Sequence, residues 1–328
     1  MRVLGQSKAL SFLAKLVRSQ RVPGALLFYG PSGVGKKLAA LEFAKALNCA
    51  NVQADGTPCG TCASCVAVDK GIHPDATLVD YVYQARLEVK KDITSKSYEE
   101  ELEKEIAKQQ HINVDTIRSI TAKSQQKSVQ DGWKVFIIDE AQSMLSASAN
   151  ALLKFIEEPP AKTVWILISS KRSSMLRTIL SRCQPLAFAP LGEEDILRIL
   201  EDRGLSLVHP QLAARYGGGS VEGALAADQA ITLLEEGNFT SPSGSMAVTS
   251  ALSRVTVSAR QEAQTILDVL TRALHRQWTE ETNSSRQHKI QQILKRFEVY
   301  KRSITRNVSP SLVLETALMS LDGLNLSL

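Results

Sequence analysis

The run Leu26-Leu27-Phe28-Tyr29-Gly30-Pro31-Ser32-Gly33-Val34-Gly35-Lys36-Lys37 constrains this chain more than any other segment. Its first four residues form a short buried-strand pattern. The turn that follows fits G-x-x-x-x-G-K, and from Leu38 to Leu47 the apolar period is helical. Strand, glycine-rich loop and helix in that order are the context the motif requires. Gly30, Gly33 and Gly35 let backbone N–H groups converge on phosphate oxygens, the helix N-terminus adds a favourable field, and Lys36 would reach the β and γ phosphates.

The position after Lys36 should be Ser or Thr, whose hydroxyl ligates Mg²⁺ in working phosphate-loop enzymes. Here it is Lys37. An ammonium has three donors and no acceptor, so it cannot ligate a cation and would repel one. A milder reading is that Lys37 swings into solvent and Mg²⁺ binds through water. Either way a direct ligand is lost, so efficient hydrolysis is not expected, while nucleotide binding is left open. Val135-Phe136-Ile137-Ile138 reads as a second buried strand and ends in Asp139-Glu140, placed as an acidic pair that would hold Mg²⁺ and polarise the attacking water. The alternative is that both carboxylates hydrogen-bond surrounding loops.

Val164 to Ile168 and Leu186 to Phe188 add a third and a fourth strand. Helical spacing covers residues 7–20 and Ala149 to Glu158, the latter stopped by Pro159-Pro160 because proline lacks the N–H and clashes with the preceding turn. Strands alternating with helices imply a parallel sheet covered on both faces. Residues 84–110 are dense in Lys, Glu and Gln and read as a solvated helical or partly disordered insertion, with a partner-binding arm as the sharper alternative. After Pro190 the pattern is helical. Gly217 to Gly219 divides two helices, Ser241 to Ser245 reads as a linker, and residues 247–328 carry long amphipathic helices. At 328 residues, more than one domain is expected.

Four of the five cysteines lie in one 17-residue stretch: Cys49, Cys59, Cys62 and Cys65. The chain opens without an apolar leader, and no stretch approaches the roughly 20 apolar residues of a membrane helix. A soluble cytoplasmic protein is expected, where thiols stay reduced, and the cluster then points to a metal rather than to disulfides. Four soft sulfur ligands favour tetrahedral Zn²⁺ in a closed, structural site. An iron–sulfur cluster is the rival. Cys183 stands apart as a buried thiol, and His73 is read as structural. The net charge of +5 is compatible with nucleic-acid or acidic partners and equally with a mixed solvated surface.

Val3-Leu4-Gly5-Gln6, the phosphate loop, His73-Pro74-Asp75, Asp139-Glu140-Ala141, Asn150-Ala151-Leu152-Leu153-Lys154, Glu157-Glu158-Pro159-Pro160, Thr178-Ile179-Leu180-Ser181-Arg182-Cys183 and Gly217-Gly218-Gly219-Ser220-Val221 occur in that order. The chain resembles the AAA+ module of bacterial clamp-loader subunits in these motifs, their order and their spacing. The resemblance implies a RecA-like AAA+ α/β domain over residues 1–190, with a zinc module at 49–65 and the charged insertion at 84–110. It further implies a small helical lid over 191–240 and a helical collar for oligomerisation over 246–328. The zinc module occurs in such subunits too.

Within the family the choice is between ATPase motor subunits (gamma/tau) and the delta-prime type. Lys37 in place of the metal-ligating hydroxyl favours delta-prime, as does Glu222 where motor subunits carry a sensor-2 arginine. A sequence that ends after the third helical region, without the long extension of tau, is the third expectation. Ser169-Ser170 do not discriminate. In clamp loaders the Ser-Arg-Cys arginine, here Arg182, projects into the neighbouring subunit's ATP site; alone it would read as a surface residue capping the preceding helix. The resemblance implies gamma/tau and delta partners in a hetero-pentamer, a sliding clamp, primed DNA and no membrane. It also implies a structural Zn²⁺, and ATP with Mg²⁺ at most weakly hydrolysed in the chain's own site. Two alternatives stay open: a gamma/tau-type motor, and an AAA+ DNA-associated ATPase outside replication.

Overall fold

The computed structural model describes residues 3–328 except 90–94, 240, 253–255, 305, 307, 323, 325 and 327. The chain divides into two compact units, Met1–Ala189 and Pro190–Leu328.

The first unit is built on a five-stranded parallel sheet in the order β2-β3-β4-β1-β5. The strands are β1 (Ala25–Tyr29), β2 (Ala76–Val79), β3 (Lys134–Ile138), β4 (Thr163–Ser169) and β5 (Gln184–Ala187). Its helices are α1 (Ser7–Ser19), α2 (Lys36–Asn48), α3 (Ala63–Asp69), α4 (Tyr81–Glu88), α5 (Ser95–Lys108), α6 (Val114–Gln125), α7 (Ser146–Glu157) and the short α8 (Arg177–Leu180). All residues of β3 and β4 are buried, as a sheet covered on both faces demands. On one face Leu27, Phe136, Ile138, Trp165 and Leu167 meet Ile117 and Ile120 of α6 and Leu152 and Ile156 of α7. The alternate residues Leu26, Phe28, Val135, Ile137 and Ile166 are buried on the other side, and α2 packs against β3 and β4.

Four strands are expected from sequence and five are present among the described residues. The additional one, β2, follows His73-Pro74-Asp75, three residues that organise its entry. His73 Nε2 lies 3.0 Å from Ser64 Oγ in α3, and its Nδ1 accepts from the Asp75 N–H at 3.1 Å. Burial holds the His73 pKa below the ordinary imidazole value, with the Asp75 carboxylate opposing. The Asp75 carboxylate accepts from Ser128 Oγ and from the Val129 and Gln130 N–H groups, fixing the loop that enters β3. The buried ammonium of Lys134 donates to the Ser124 and Gln126 carbonyls of that connection.

The charged segment 84–110 contains the end of α4 and all of α5, and its residues 90–94 lie outside the described residues. Its ends are tied down rather than solvated throughout. Gln84 is buried and donates to the His111 carbonyl at 2.9 Å, and Gln109 donates to Glu88 at 2.8 Å.

The second unit is helical: α9 (Glu193–Asp202), α10 (Pro210–Tyr216), α11 (Val221–Gly237), α12 (Pro242–Ala251), α13 (Thr256–Glu280), α14 (Ser284–Ile304) and α15 (Pro310–Met319). The expected linker at Ser241 to Ser245 is instead the start of α12. Ser241 is its N-cap and accepts from the Gly244 N–H at 3.0 Å, with Pro242 in the first turn. A Cβ on Gly244 would lie 2.1 Å from the Asn238 carbonyl oxygen, so glycine serves close packing here. One apolar core runs from Tyr216 and Ile231 through Leu267 and Phe297 to Leu314, so helices on both sides of the expected lid–collar boundary share it. Among the described residues, no helix is long and apolar enough to cross a membrane.

Trp165 is fully buried, stacks on Phe136 with centroids 4.6 Å apart, and leaves its Nε1 without a partner among the described residues. Its value is therefore packing, not hydrogen bonding. In urea unfolding followed by far-UV circular dichroism, Trp165→Ala is expected to cost about 3–5 kcal/mol and Trp165→Phe less than about 1.5 kcal/mol. Equal losses would contradict this reading.

Candidate nucleotide and metal sites

The phosphate loop leaves the carboxyl end of β1, the strand flanked by β4 and β5. Ligands of open parallel sheets bind at such an edge. The Gly30 N–H donates to the Ser169 carbonyl and the Phe188 N–H to the Tyr29 carbonyl, which locks the start of the loop to its neighbours. A Cβ on Gly30 would stand 2.2 Å from the Phe188 carbonyl oxygen, and Gly35 caps α2 at φ 93°; both positions need glycine. Gly33 also has positive φ. Gln6 clamps the far side of the loop. Its amide donates to the Val34 and Ala189 carbonyls, and its oxygen accepts from the Ala189 N–H. Lys36 is buried and donates to the Gly30 carbonyl at 2.8 Å and to the Pro31 carbonyl.

Lys37 does not swing into solvent. Its Nζ lies 3.1 Å from Asp80 Oδ2 and 3.2 Å from Asp139 Oδ2. Sheet register explains the pair of carboxylates. Val79 of β2 stands beside Ile138 of β3, so the next residues, Asp80 and Asp139, leave the carboxyl edge as neighbours. Asp80 is further fixed as the N-cap of α4, its Oδ1 accepting from the Tyr83 N–H at 2.9 Å. Burial works against the Lys37 charge, but Asp139 and then Asp80 outweigh it, and its pKa is raised above 10.5. Asp80 is the site residue that sequence motifs miss. Its signal is faint: an aspartate ending a half-apolar run, as Asp139 ends a fully apolar one.

Glu140 takes a left-handed backbone conformation (φ 47°) and accepts from Gln142 Nε2, which also donates to Ser170 Oγ at 3.2 Å. Ser169 Oγ accepts from the Lys171 N–H. Thus Asp139 holds an ammonium and Glu140 meets a loop amide. In the second unit Glu222 lies in the first turn of α11, whose N-cap Ser220 accepts from the Gly223 N–H at 3.0 Å.

Arg182 follows α8 and precedes β5. Its Nε pairs with Glu157 Oε1 at the end of α7, and its Nη1 donates to the Thr178 carbonyl at 3.1 Å and to Ser181 Oγ at 3.2 Å. The helix-capping contact is therefore made. Leu26 pairs with Gln184 and Tyr29 with Ala187 in parallel register, so Arg182 stands at the amino edge of the sheet. The phosphate loop stands at the carboxyl edge, roughly 15 Å away along strands rising about 3.3 Å per residue. Arg182 is half-exposed. Neighbouring Cys183 is buried, which pushes its thiol up to about 12.

The sulfurs of Cys49, Cys59, Cys62 and Cys65 all lie within 4.8 Å of one another and could hold a metal ion. Cys49 ends α2, and Cys62 is the N-cap of α3. Backbone N–H groups aim at these sulfurs: Cys59 at Cys49, and Cys62 at Cys59, both at 3.3 Å, and Cys65 at Cys62. N–H donation from Thr61 and Cys62 lowers the Cys59 pKa to about 6, and donation from Cys65 and Ala50 lowers that of Cys62. Burial raises those of Cys49 and Cys65. Donors arranged around sulfur favour thiolates, the form that ligates metal.

Residues 5–192 match the family model described as DNA polymerase III, delta subunit. Subunit tau/gamma of DNA polymerase III from Haemophilus influenzae is 32% identical over 238 residues, which is 70% of this chain and 30% of that protein. Subunit delta' from Bacillus subtilis is 33% identical over 198 residues, 60% of this chain and 50% of that protein. The chain thus spans about a third to a half of the length of these relatives. The crystal structure of a DNA polymerase III gamma subunit-related protein from Thermotoga maritima shares the fold, with TM-score 0.54 at 16% identity over 94% of this chain and 97% of that one.

Lys37 is charged in its pocket at any pH below 10.5, and its contribution fades as pH rises through the higher folded value. Lys37→Met is expected to destabilise the first unit by about 0.5–1 kcal/mol at neutral pH and low salt, after allowance for solvent screening. The gap should shrink in high salt and close only in strong alkali; pH-resolved urea unfolding measures it. Equal stability at neutral pH would contradict the contact.

Proposed function

The chain belongs to the DNA polymerase III delta-subunit family of clamp-loader proteins, and from that premise we propose that it is a delta-prime-type subunit. It would act as a scaffold that does not hydrolyse ATP efficiently and that supplies Arg182 in trans to a neighbouring ATPase subunit while a sliding clamp is loaded onto primed DNA. One observation carries this reading: the Lys37 ammonium lies against Asp139, the carboxylate that would otherwise receive the metal. Repulsion by that charge opposes Mg²⁺, and without the metal neither Glu140 nor Lys36 has a polarised γ-phosphate to act on.

The position of Arg182 supports the second half of the reading. A guanidinium at the opposite edge of the sheet cannot serve its own phosphate loop but is presented outward, where a partner's nucleotide could meet it. Arginine suits the task because its charge is permanent and its planar fork meets phosphate oxygens in pairs. Glu157 holds it until the partner's phosphate replaces the carboxylate. The expected assembly is a hetero-pentamer with gamma/tau and delta subunits, joined through the helices of residues 246–328, with residues 191–240 as the lid. Phosphate contacts by helix N-termini, Lys and Arg would hold DNA without base readout.

For the cysteines, the reading is a structural zinc. Zn–S bonds of about 2.3 Å set tetrahedral sulfurs about 3.8 Å apart, and Cys49 and Cys62 stand at 4.0 Å. Bound zinc would cross-link the end of α2 to the start of α3 and leave no open position for chemistry. The relatives named gamma/tau, together with the retained Lys36, Asp139 and Glu140, favour a second reading, an ATP-hydrolysing motor subunit.

Two outcomes are expected. Reconstituted with gamma/tau and delta subunits, the Arg182→Ala protein assembles normally, but clamp- and DNA-stimulated ATP hydrolysis falls by about tenfold or more, a fraction of the 10³–10⁵ credited to such fingers elsewhere. Undiminished ATPase and loading would remove Arg182 from the account. Elemental analysis finds one zinc per chain, lost in Cys62→Ser together with a lowered thermal midpoint. A visible iron–sulfur chromophore would overturn the zinc assignment.

A further inference from the structure

The fold family implies Mg²⁺ beside the phosphate loop, and the residues here do not fit it. The hydroxyl ligand is absent from position 37, and the carboxylates that face the loop, Asp80 and Asp139, are both engaged by an ammonium. A divalent ion entering there would have to evict a lysine held by two ion pairs and would still lack its loop ligand. Yet the anion-binding parts of the loop are intact. Gly30, Gly33 and Gly35 keep their positive φ values, and α2 has no side-chain N-cap and no acid in its first turn. Its leading N–H groups are therefore not taken up by a side chain of the cap, and its field favours an anion.

We propose that this loop binds the phosphates of a nucleotide without a divalent cation, with the Lys37 ammonium, positioned by Asp80 and Asp139, standing where the metal would be. An ammonium carries three donors. Two are directed to the carboxylates, and the third is left for a phosphate oxygen; the Lys37 side chain is 43% exposed, so a ligand can reach it. Lys36, resting on the Gly30 and Pro31 carbonyls, would exchange those acceptors for phosphate oxygens. Asp80 is then a positioning residue: it aims Lys37 and touches no ligand itself. The consequence is a nucleotide that is held and not turned over, a static brace for the first unit.

The inference rests on reading the loop as a phosphate cradle and not on the delta-prime assignment, since the test uses the isolated full chain with no other subunit. ADP is titrated calorimetrically into the wild type in EDTA and in excess Mg²⁺. The two dissociation constants are expected to agree within about twofold. Lys37→Thr, which supplies the hydroxyl and frees both carboxylates, is expected to bind weakly in EDTA and to gain about tenfold or more on adding Mg²⁺. Lys37→Arg keeps the charge and should stay indifferent to the metal, and unchanged circular dichroism verifies that the variants are folded. Asp80→Asn should weaken ADP binding in EDTA without creating a metal requirement. Wild-type binding tightened about tenfold by Mg²⁺ would overturn the proposal. So would wild type that binds no ADP in either buffer, or a Lys37→Thr protein as indifferent to Mg²⁺ as the wild type.

Discussion

The ion pairs from Lys37 to Asp80 and Asp139 join the phosphate loop to the ends of two neighbouring strands. They exist because the sheet is parallel and in register. With Val79 beside Ile138, chain direction alone delivers two carboxylates to one edge, and two negative charges so close need a cation between them. In a phosphate-loop ATPase that cation is a metal, recruited with nucleotide and used in chemistry. Here it is covalently part of the chain, with one charge instead of two and no open coordination position. One side chain thus changes the charge between the two carboxylates while leaving the fold that carries them intact.

The same sheet separates the phosphate loop from Arg182. Its carboxyl edge carries the loop, and its amino edge carries Arg182 on the connection between α8 and β5. The Glu157 carboxylate at the end of α7 meets that arginine. Such an exposed pair is worth little in stability, so under the proposed role it would yield to a partner's phosphate at small cost. The cysteine cluster lies at the other end of α2 from the loop, where backbone N–H donors aim at the sulfurs that could hold a metal ion.

Much of this is legible in the sequence. Continuous apolar runs at Leu26, Val135 and Val164 announce central strands, and glycine spacing announces the loop between strand and helix. Cysteine spacing announces the cluster. Strand β2 is not legible because it lies at the sheet edge with alternating burial, and Ala76 and Thr77 give it no apolar run. Asp80 is hidden with it, since its meaning depends on a neighbour 59 positions later in sequence. Ser241 to Ser245 has linker composition, yet the same Ser-Pro pair is a helix N-terminus once Ser241 caps it. The fate of Lys37 was outside the reach of pattern as well. Residue chemistry says that it cannot ligate a metal, but only the register of β2 against β3 says where its charge goes.

Steady-state ATP hydrolysis by the isolated chain at saturating ATP and Mg²⁺, read against Lys36→Ala as the blank, tests the scaffold role most directly. A non-hydrolysing scaffold predicts that wild type and blank are indistinguishable. Turnover at a motor-like rate that disappears with Lys36 would contradict it and return the chain to the motor class.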